Sequence, residues 1–214
     1  MDHQMTSEDK NIIEIYRRHA DAWVKLRGQH LLEKKWLDKF LELLPNASSV
    51  LDIGCGFGEP IGRYLFENGS AVTGIDASPE LIQVAKERVA KATWIVSDMR
   101  ALRLADKFDG LLAWNSTFHL TPNDQRQMFP IFQEHAAKGA ALMFTSGPSH
   151  GDAIGEFEGE PLYHSSLDGD EYRLLLDQHG FDVIEHVVKD PDCGQHTVWL
   201  ARFREPRSRP PSQN

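Results

Sequence analysis

Cysteine is scarce in this chain: 214 residues carry only Cys55 and Cys193. Two thiols cannot build a disulfide framework, and no Cys/His group shows zinc-ligand spacing. Both read as reduced thiols, and no metal is expected. Basic charge is also short, with 23 Lys and Arg against 32 Asp and Glu, a net charge of −9. A protein that grips a phosphate backbone shows a basic face. The one basic cluster, residues 202–209, is diluted by prolines, so nucleic acid is not an expected partner. No apolar run nears the roughly 18 residues of a membrane span. The polar start, Met1 to Lys10, lacks the apolar core of a signal peptide. A cytoplasmic protein without membrane attachment is the expectation. Internal repeats are absent too. The apolar fraction of 41% and charged fraction of 26% are those of a globular chain.

What is present begins with helical spacing. Over Thr6–Leu26, Ile12, Ile13, Tyr16, Ala20 and Trp23 or Val24 share a stripe, with Ser7 as N-cap. A second helix runs to Leu44 with Leu32, Trp36, Phe40 and Leu43 on one face. Short strand candidates follow at Ser49–Ile53, Ala71–Ile75, Thr93–Val96, Gly110–Trp114 and Ala140–Thr145. Helical stretches from Pro60, Pro79 and Pro122 separate them, each proline placed where a first helical turn tolerates it. Alternating strands and helices predict a Rossmann-like α/β fold, a mostly parallel sheet covered on both faces. After a helix over Leu167–His179, two strand-like runs, Phe181–Lys189 and His196–Phe203, are too close for a crossover helix. They predict an antiparallel C-terminal hairpin and seven strands in the sheet. The intervening Gly147–Ser166 reads as a long loop, a flap over the site. Residues 1–45 are expected as a helical lid, 46–204 as the ligand-binding domain and 205–214 as a disordered tail.

The stretch Val50-Leu-Asp-Ile-Gly-Cys-Gly-Phe-Gly58 sets three glycines in five positions after a strand. Such a turn opening a helix offers backbone N–H groups to a ligand. The dinucleotide fingerprint wants a third glycine where Glu59 stands, and a carboxylate there should repel a diphosphate. Asp76 ends the next strand, 22 positions beyond Gly54, where a carboxylate accepts from a ribose diol. Asp98 and Met99 end the third, where a carboxylate and a backbone N–H recognise adenine.

These three segments resemble the class I S-adenosylmethionine-dependent methyltransferases over roughly residues 45–145. The resemblance implies S-adenosyl-L-methionine as cofactor and methyl donor. It implies that Asp52 orients the loop and the methionine amine, and that Gly54 and Gly56 lie along the methionine. Asp76 would bind ribose, Ala77 would pack beside the adenine, and Asp98 and Met99 would hold the base. Asn115 would touch the methionine end, and Tyr16 and Trp23 would fold over the cofactor. The expected partner is a small-molecule methyl acceptor, methylated at O or N by in-line transfer, with the protein a monomer or homodimer. Should the acceptor arrive protonated, the candidate bases are His119, just past the fourth strand, and Tyr163 and His164 at the end of the flap. Two alternatives stay open: a nicotinamide-dependent oxidoreductase and a non-catalytic cofactor-binding module.

Overall fold

The computed structural model describes residues 11–204. Ser7, read above as a cap, and the expected tail 205–214 lie outside them. The chain opens with α1 (Ile12–Arg18) and α2 (Ala20–Arg27), then α3 (Lys34–Glu42). The single first helix predicted from periodicity is bent at His19. Backbone bonds continue through the bend, His19 N to Ile15 O at 3.0 Å and Trp23 N to His19 O at 2.9 Å. Leu32 precedes α3 and is exposed, so the buried face of that helix is Trp36, Leu37 and Phe40.

Strands and helices then alternate: β1 (Ser49–Ile53), α4 (Ile61–Glu67), β2 (Ala71–Asp76), α5 (Pro79–Arg88), β3 (Thr93–Val96), β4 (Phe108–Ala113), α6 (Pro122–His135) and β5 (Ala136–Ser146). Next come β6 (Gly151–Phe157), β7 (Glu160–Ser166), α7 (Gly169–Gln178), β8 (Phe181–Asp190) and β9 (His196–Phe203). The main sheet has seven strands in the order β3-β2-β1-β4-β5-β9-β8. β1 through β5 run parallel, and β9 enters antiparallel between β5 and β8. The expected hairpin at the end of the sheet is therefore present.

Strand side chains alternate between faces, and the two cores follow that alternation. Leu51, Leu111 and Leu142 join Met128, Phe129 and Phe132 of α6 on one side. Val50, Leu112 and Met143 join Trp36, Leu37 and Phe40 of α3 and Ile82 of α5 on the other. Ser78 caps α5 through a bond from Leu81 N at 3.2 Å, and Thr121 caps α6 from Asp124 N at 3.2 Å.

Two expectations are corrected. Gly147–Ser166 is not an open loop: β6 and β7 pair in a separate two-stranded antiparallel sheet. Its turn, Glu158-Gly159, has φ of 53° and 78°, both positive as a tight primed hairpin turn requires. The pairing was hidden because every β6 residue except Phe157 is exposed, so no apolar alternation marks the strand. Pro60 is the N-cap of α4 and not its first helical residue, unlike Pro79 and Pro122.

Candidate functional site

The C-terminal ends of β1, β2, β3 and β4 open on one cavity, as parallel sheets generally arrange their ligand sites. Gly54, Gly56, Asp76, Ala77, Asp98, Met99 and Asn115 line its floor and walls, and Tyr16 and Trp23 roof it. Asp52 lines a smaller cavity that adjoins the first at Trp23, Gly54, Gly56 and Asn115.

The glycine loop is shaped by what presses on it. Gly54 has φ +78°, and a Cβ there would stand 2.3 Å from the Cβ of Ser116. Ser116 in turn donates to Ile53 O at 2.8 Å, which ties the segment after β4 to the end of β1. Gly56 has φ +55°, which favours glycine, and a Cβ there would meet the Trp23 indole nitrogen only at an ordinary contact distance of 3.5 Å. The loop is held to β2 by Gly54 N and Cys55 N, which both donate to Ile75 O, at 2.8 and 2.9 Å. Asp76 adds to this, accepting from Gly56 N and Ser78 N, each at 2.9 Å. Burial still outweighs those bonds and raises the Asp76 carboxyl above its ordinary value.

Charge around the loop is distributed unevenly. Asp52 is 3% exposed and has no hydrogen-bond partner among the described residues. Burial first, then the neighbouring Asp76 and Glu33, push its carboxyl up to about 7. Glu59 is buried but paired, with Arg63 and with Arg88 at 2.8 Å. Burial opposes its ionisation, yet the two guanidiniums prevail and hold it below the usual carboxylate range. The expectation that Glu59 repels a diphosphate is thereby corrected, because its charge is already neutralised by those arginines. Asp98 accepts from Arg100 Nε and Nη2, the latter at 2.5 Å. There too burial is overcome, and the carboxyl is lowered.

At the far end of the cavity stands His119. Its Nδ1 lies 2.9 Å from Tyr163 O, and its Nε2 lies 3.0 Å from Tyr16 Oη. A carbonyl can only accept, so Nδ1 carries the proton and Nε2 offers its lone pair to the Tyr16 hydroxyl. Burial, with His164 beside it, pulls this imidazole down to about 3 against the backbone bond. Burial and then Asp76 raise the Tyr16 phenol. Neither Tyr163 nor His164 lines the two cavities. The Tyr163 hydroxyl donates to Asp152 at 3.0 Å, and the His164 ring packs 4.7 Å from His119.

The roof is joined to the β6–β7 hairpin. Phe157 stacks on Tyr16 at 5.8 Å and meets Trp23 edge-on at 6.0 Å. Glu160 accepts from Arg18 at 2.5 Å and pairs with His19 at 2.6 Å. Ser116, Arg100, Phe157 and Glu160 were not anticipated. The first two sit beside predicted residues, Asn115 and Asp98, which was the available signal. The last two lie in the hairpin that periodicity did not reveal.

Residues 50–139 match the model of a family described as a methyltransferase domain. The chain is 35% identical over 100 residues to malonyl-[acyl-carrier protein] O-methyltransferase of Pseudescherichia vulneris, covering 46% of this chain and 39% of that protein. It is 30% identical over 101 residues to a dTDP-3-amino-3,4,6-trideoxy-alpha-D-glucopyranose N,N-dimethyltransferase of Streptomyces venezuelae, covering 46% of this chain and 42% of that one. The aligned region thus spans less than half the length of either relative. Among solved structures, magnesium protoporphyrin IX methyltransferase from Synechocystis PCC 6803, with bound S-adenosylmethionine, superposes with a TM-score of 0.70. The identity there is 17%, over 94% of this chain and 99% of that one, and shows a shared fold. These relatives are methyltransferases, and the oxidoreductase and non-catalytic alternatives gain no support from them. With its glycine loop, the carboxylates ending β2 and β3 and the reversed last strand, the chain has the fold of the class I S-adenosylmethionine-dependent methyltransferases, and its residues 50–139 match a methyltransferase domain.

Proposed function

We propose that the protein transfers a methyl group from S-adenosylmethionine to an oxygen or nitrogen of a small organic molecule. One observation carries this reading: the glycine loop, Asp76, Asp98 and Met99, and Asn115, from four successive strand ends, line one cavity. The residues suit the donor. Asp76 keeps lone pairs for a ribose diol beyond those used by Gly56 and Ser78. Asp98 and the Met99 backbone suit the adenine edge, with Ala77 beside the ring. Asp52, buried and unpaired, suits the methionine ammonium, and Asn115 the same end of the molecule. Tyr16 and Trp23 close the roof, within a lid of residues 1–45 over the domain 46–204.

The donor brings a methyl already activated on a sulfonium. The chain's own task is alignment and exclusion of water. His119 is the side chain placed to meet the acceptor. Tyr163 fixes its tautomer through the backbone carbonyl, and His164 packs beside it. The relatives named above, O- and N-methyltransferases, support a small acceptor, as does the acidic balance of the chain. Among the described residues no helix is long and apolar enough to cross a membrane. Two unpaired cysteines fit the cytoplasm, where a monomer or homodimer is expected.

Titration calorimetry and thermal melting with S-adenosylhomocysteine test the reading. Heat of binding and a raised Tm are expected, and Asp76→Ala should lose both while keeping its far-UV circular dichroism. Absence of heat and of any Tm shift in the wild-type protein would sink it.

A further inference from the structure

Arg100 stands on the single helical turn Met99–Ala101 that follows Asp98, and both residues line the larger cavity. The turn brings the guanidinium back onto the carboxylate. Asp98 Oδ1 accepts from Arg100 N at 2.9 Å and from Arg100 Nε at 3.0 Å. Oδ2 accepts from Nη2 at 2.5 Å and shares the Nε hydrogen at 3.1 Å. On its other side Nη1 donates to Asp124 Oδ2 at 3.5 Å, in the first turn of α6. The guanidinium thus spans two carboxylates supplied by different elements. A carboxylate offers about four lone-pair sites. Three hydrogens of Arg100 take two of these on Oδ1 and one on Oδ2, so the site left over belongs to Oδ2. Fork pairing of this kind fixes the plane of the carboxylate as well as its charge.

From this fork we infer that Arg100 is a positioning residue for base selection: it holds Asp98 so that the one remaining Oδ2 lone pair meets the exocyclic amine of the donor's adenine. The inference rests on the donor reading above and deepens it. The amine needs a single acceptor there, and the fork leaves a single one. A base without the amine sets a C–H against that lone pair, which belongs to a carboxylate held ionised below its usual range. A site built to pair a polar group rejects the analogue that lacks it. The selection depends on the fork because Asp98 is not held by burial: its side chain is 33% exposed. Without the guanidinium it is free to turn into solvent, and the amine then has to order it at the moment of binding. Arg100 is itself 43% exposed in its side chain, so removing the guanidinium takes nothing from either core.

The test is titration calorimetry on the full chain with two ligands, S-adenosylhomocysteine and its analogue in which unsubstituted purine replaces adenine. They differ only in the exocyclic amine. The wild-type protein should bind the adenine compound about tenfold or more tightly than the purine compound. Arg100→Met keeps an unbranched stem and removes the fork. In this variant the ratio should fall to about threefold or less, with the whole change in the Kd of the adenine compound and none in that of the purine compound. Arg100→Lys, which keeps the charge without the fork, should fall between. A purely structural role for Arg100 would weaken both ligands alike and leave the ratio where it was, which overturns the inference. Tighter binding of S-adenosylhomocysteine by Arg100→Met also overturns it, because the guanidinium would then compete with the amine for Asp98. So does a wild-type ratio near one. Failure of the wild-type protein to bind S-adenosylhomocysteine at all would instead remove the reading on which the inference rests.

Discussion

The proposed contact of Asp52 with the methionine ammonium makes cofactor binding sensitive to pH. Its carboxyl sits at about 7 without a ligand, because burial and the charges of Asp76 and Glu33 disfavour ionisation. An ammonium placed against it must find it ionised. Binding of S-adenosylhomocysteine near neutrality should therefore expel the proton Asp52 carries. With a value of 7, the unliganded carboxyl is about 0.9 protonated at pH 6 and about 0.25 at pH 7.5. Proton release on binding should fall accordingly, from about 0.9 to about 0.25 per site. The apparent affinity should rise about eightfold over the same interval. Calorimetry in two buffers of different ionisation enthalpy reads the proton count directly. The unliganded fold shows the same group with the opposite sign. Its folded value lies above the unfolded value near 4, so the native state binds the extra proton and stability falls as pH rises from about 4 to 7. The loss approaches about 4 kcal/mol, three pH units at about 1.4 kcal/mol each. Asp52→Asn should flatten both dependences and raise the unliganded Tm at pH 8. An equal proton count at pH 6 and 7.5, or a dependence that survives in Asp52→Asn, would refute the assignment of this titration to Asp52.

Three further outcomes follow from the packing. Gly54→Ala meets Ser116 at 2.3 Å as well as a positive φ, whereas Gly69→Ala has φ +90° with nothing within 4 Å. Denaturant melts should place the first at least about 2 kcal/mol below the second, because the second bears only the backbone cost of about 1–2 kcal/mol. Glu59→Gln leaves Arg63 and Arg88 without their shared carboxylate and should lower Tm at pH 7. Because the folded value of Glu59 is depressed, its contribution is present above about pH 4 and lost as pH falls through that depressed value. The variant should therefore melt with less acid sensitivity than the wild type. Glu160→Gln removes the carboxylate shared by Arg18 and His19 and should speed hydrogen exchange across residues 12–27 while leaving the sheet unchanged; uniform exchange in both would show that this contact does not fasten the roof.

The residues proposed to hold the donor were legible as a group lining one cavity because their determinants are local. The glycines, Asp76, Asp98 and Met99 each stand at a strand end, and strand ends follow from a period-two pattern broken by turn residues. What each glycine accommodates was not legible: Ser116 under Gly54 comes from the segment after β4, and Trp94 against Gly58 and Gly74 comes from β3. Glu59 was misjudged for the same reason, since Arg88, at the end of α5, reaches it from 29 residues away. The hairpin of β6 and β7 escaped because its solvent-facing residues carry no apolar rhythm, and with it went the partners of the lid, Phe157 and Glu160.

The residues proposed to face the acceptor are assembled differently, and that difference explains why the motifs are silent about the substrate. Its side chains come from three separated segments, Tyr16 to Trp23, Asn115 to His119 and Phe157 to His164. They meet through ring contacts and single hydrogen bonds that many sequences could supply. The residues proposed for the donor are concentrated in one loop and two carboxylates with fixed spacing. The proposed acceptor would meet whatever the N-terminal helices and the hairpin bring over the end of β4.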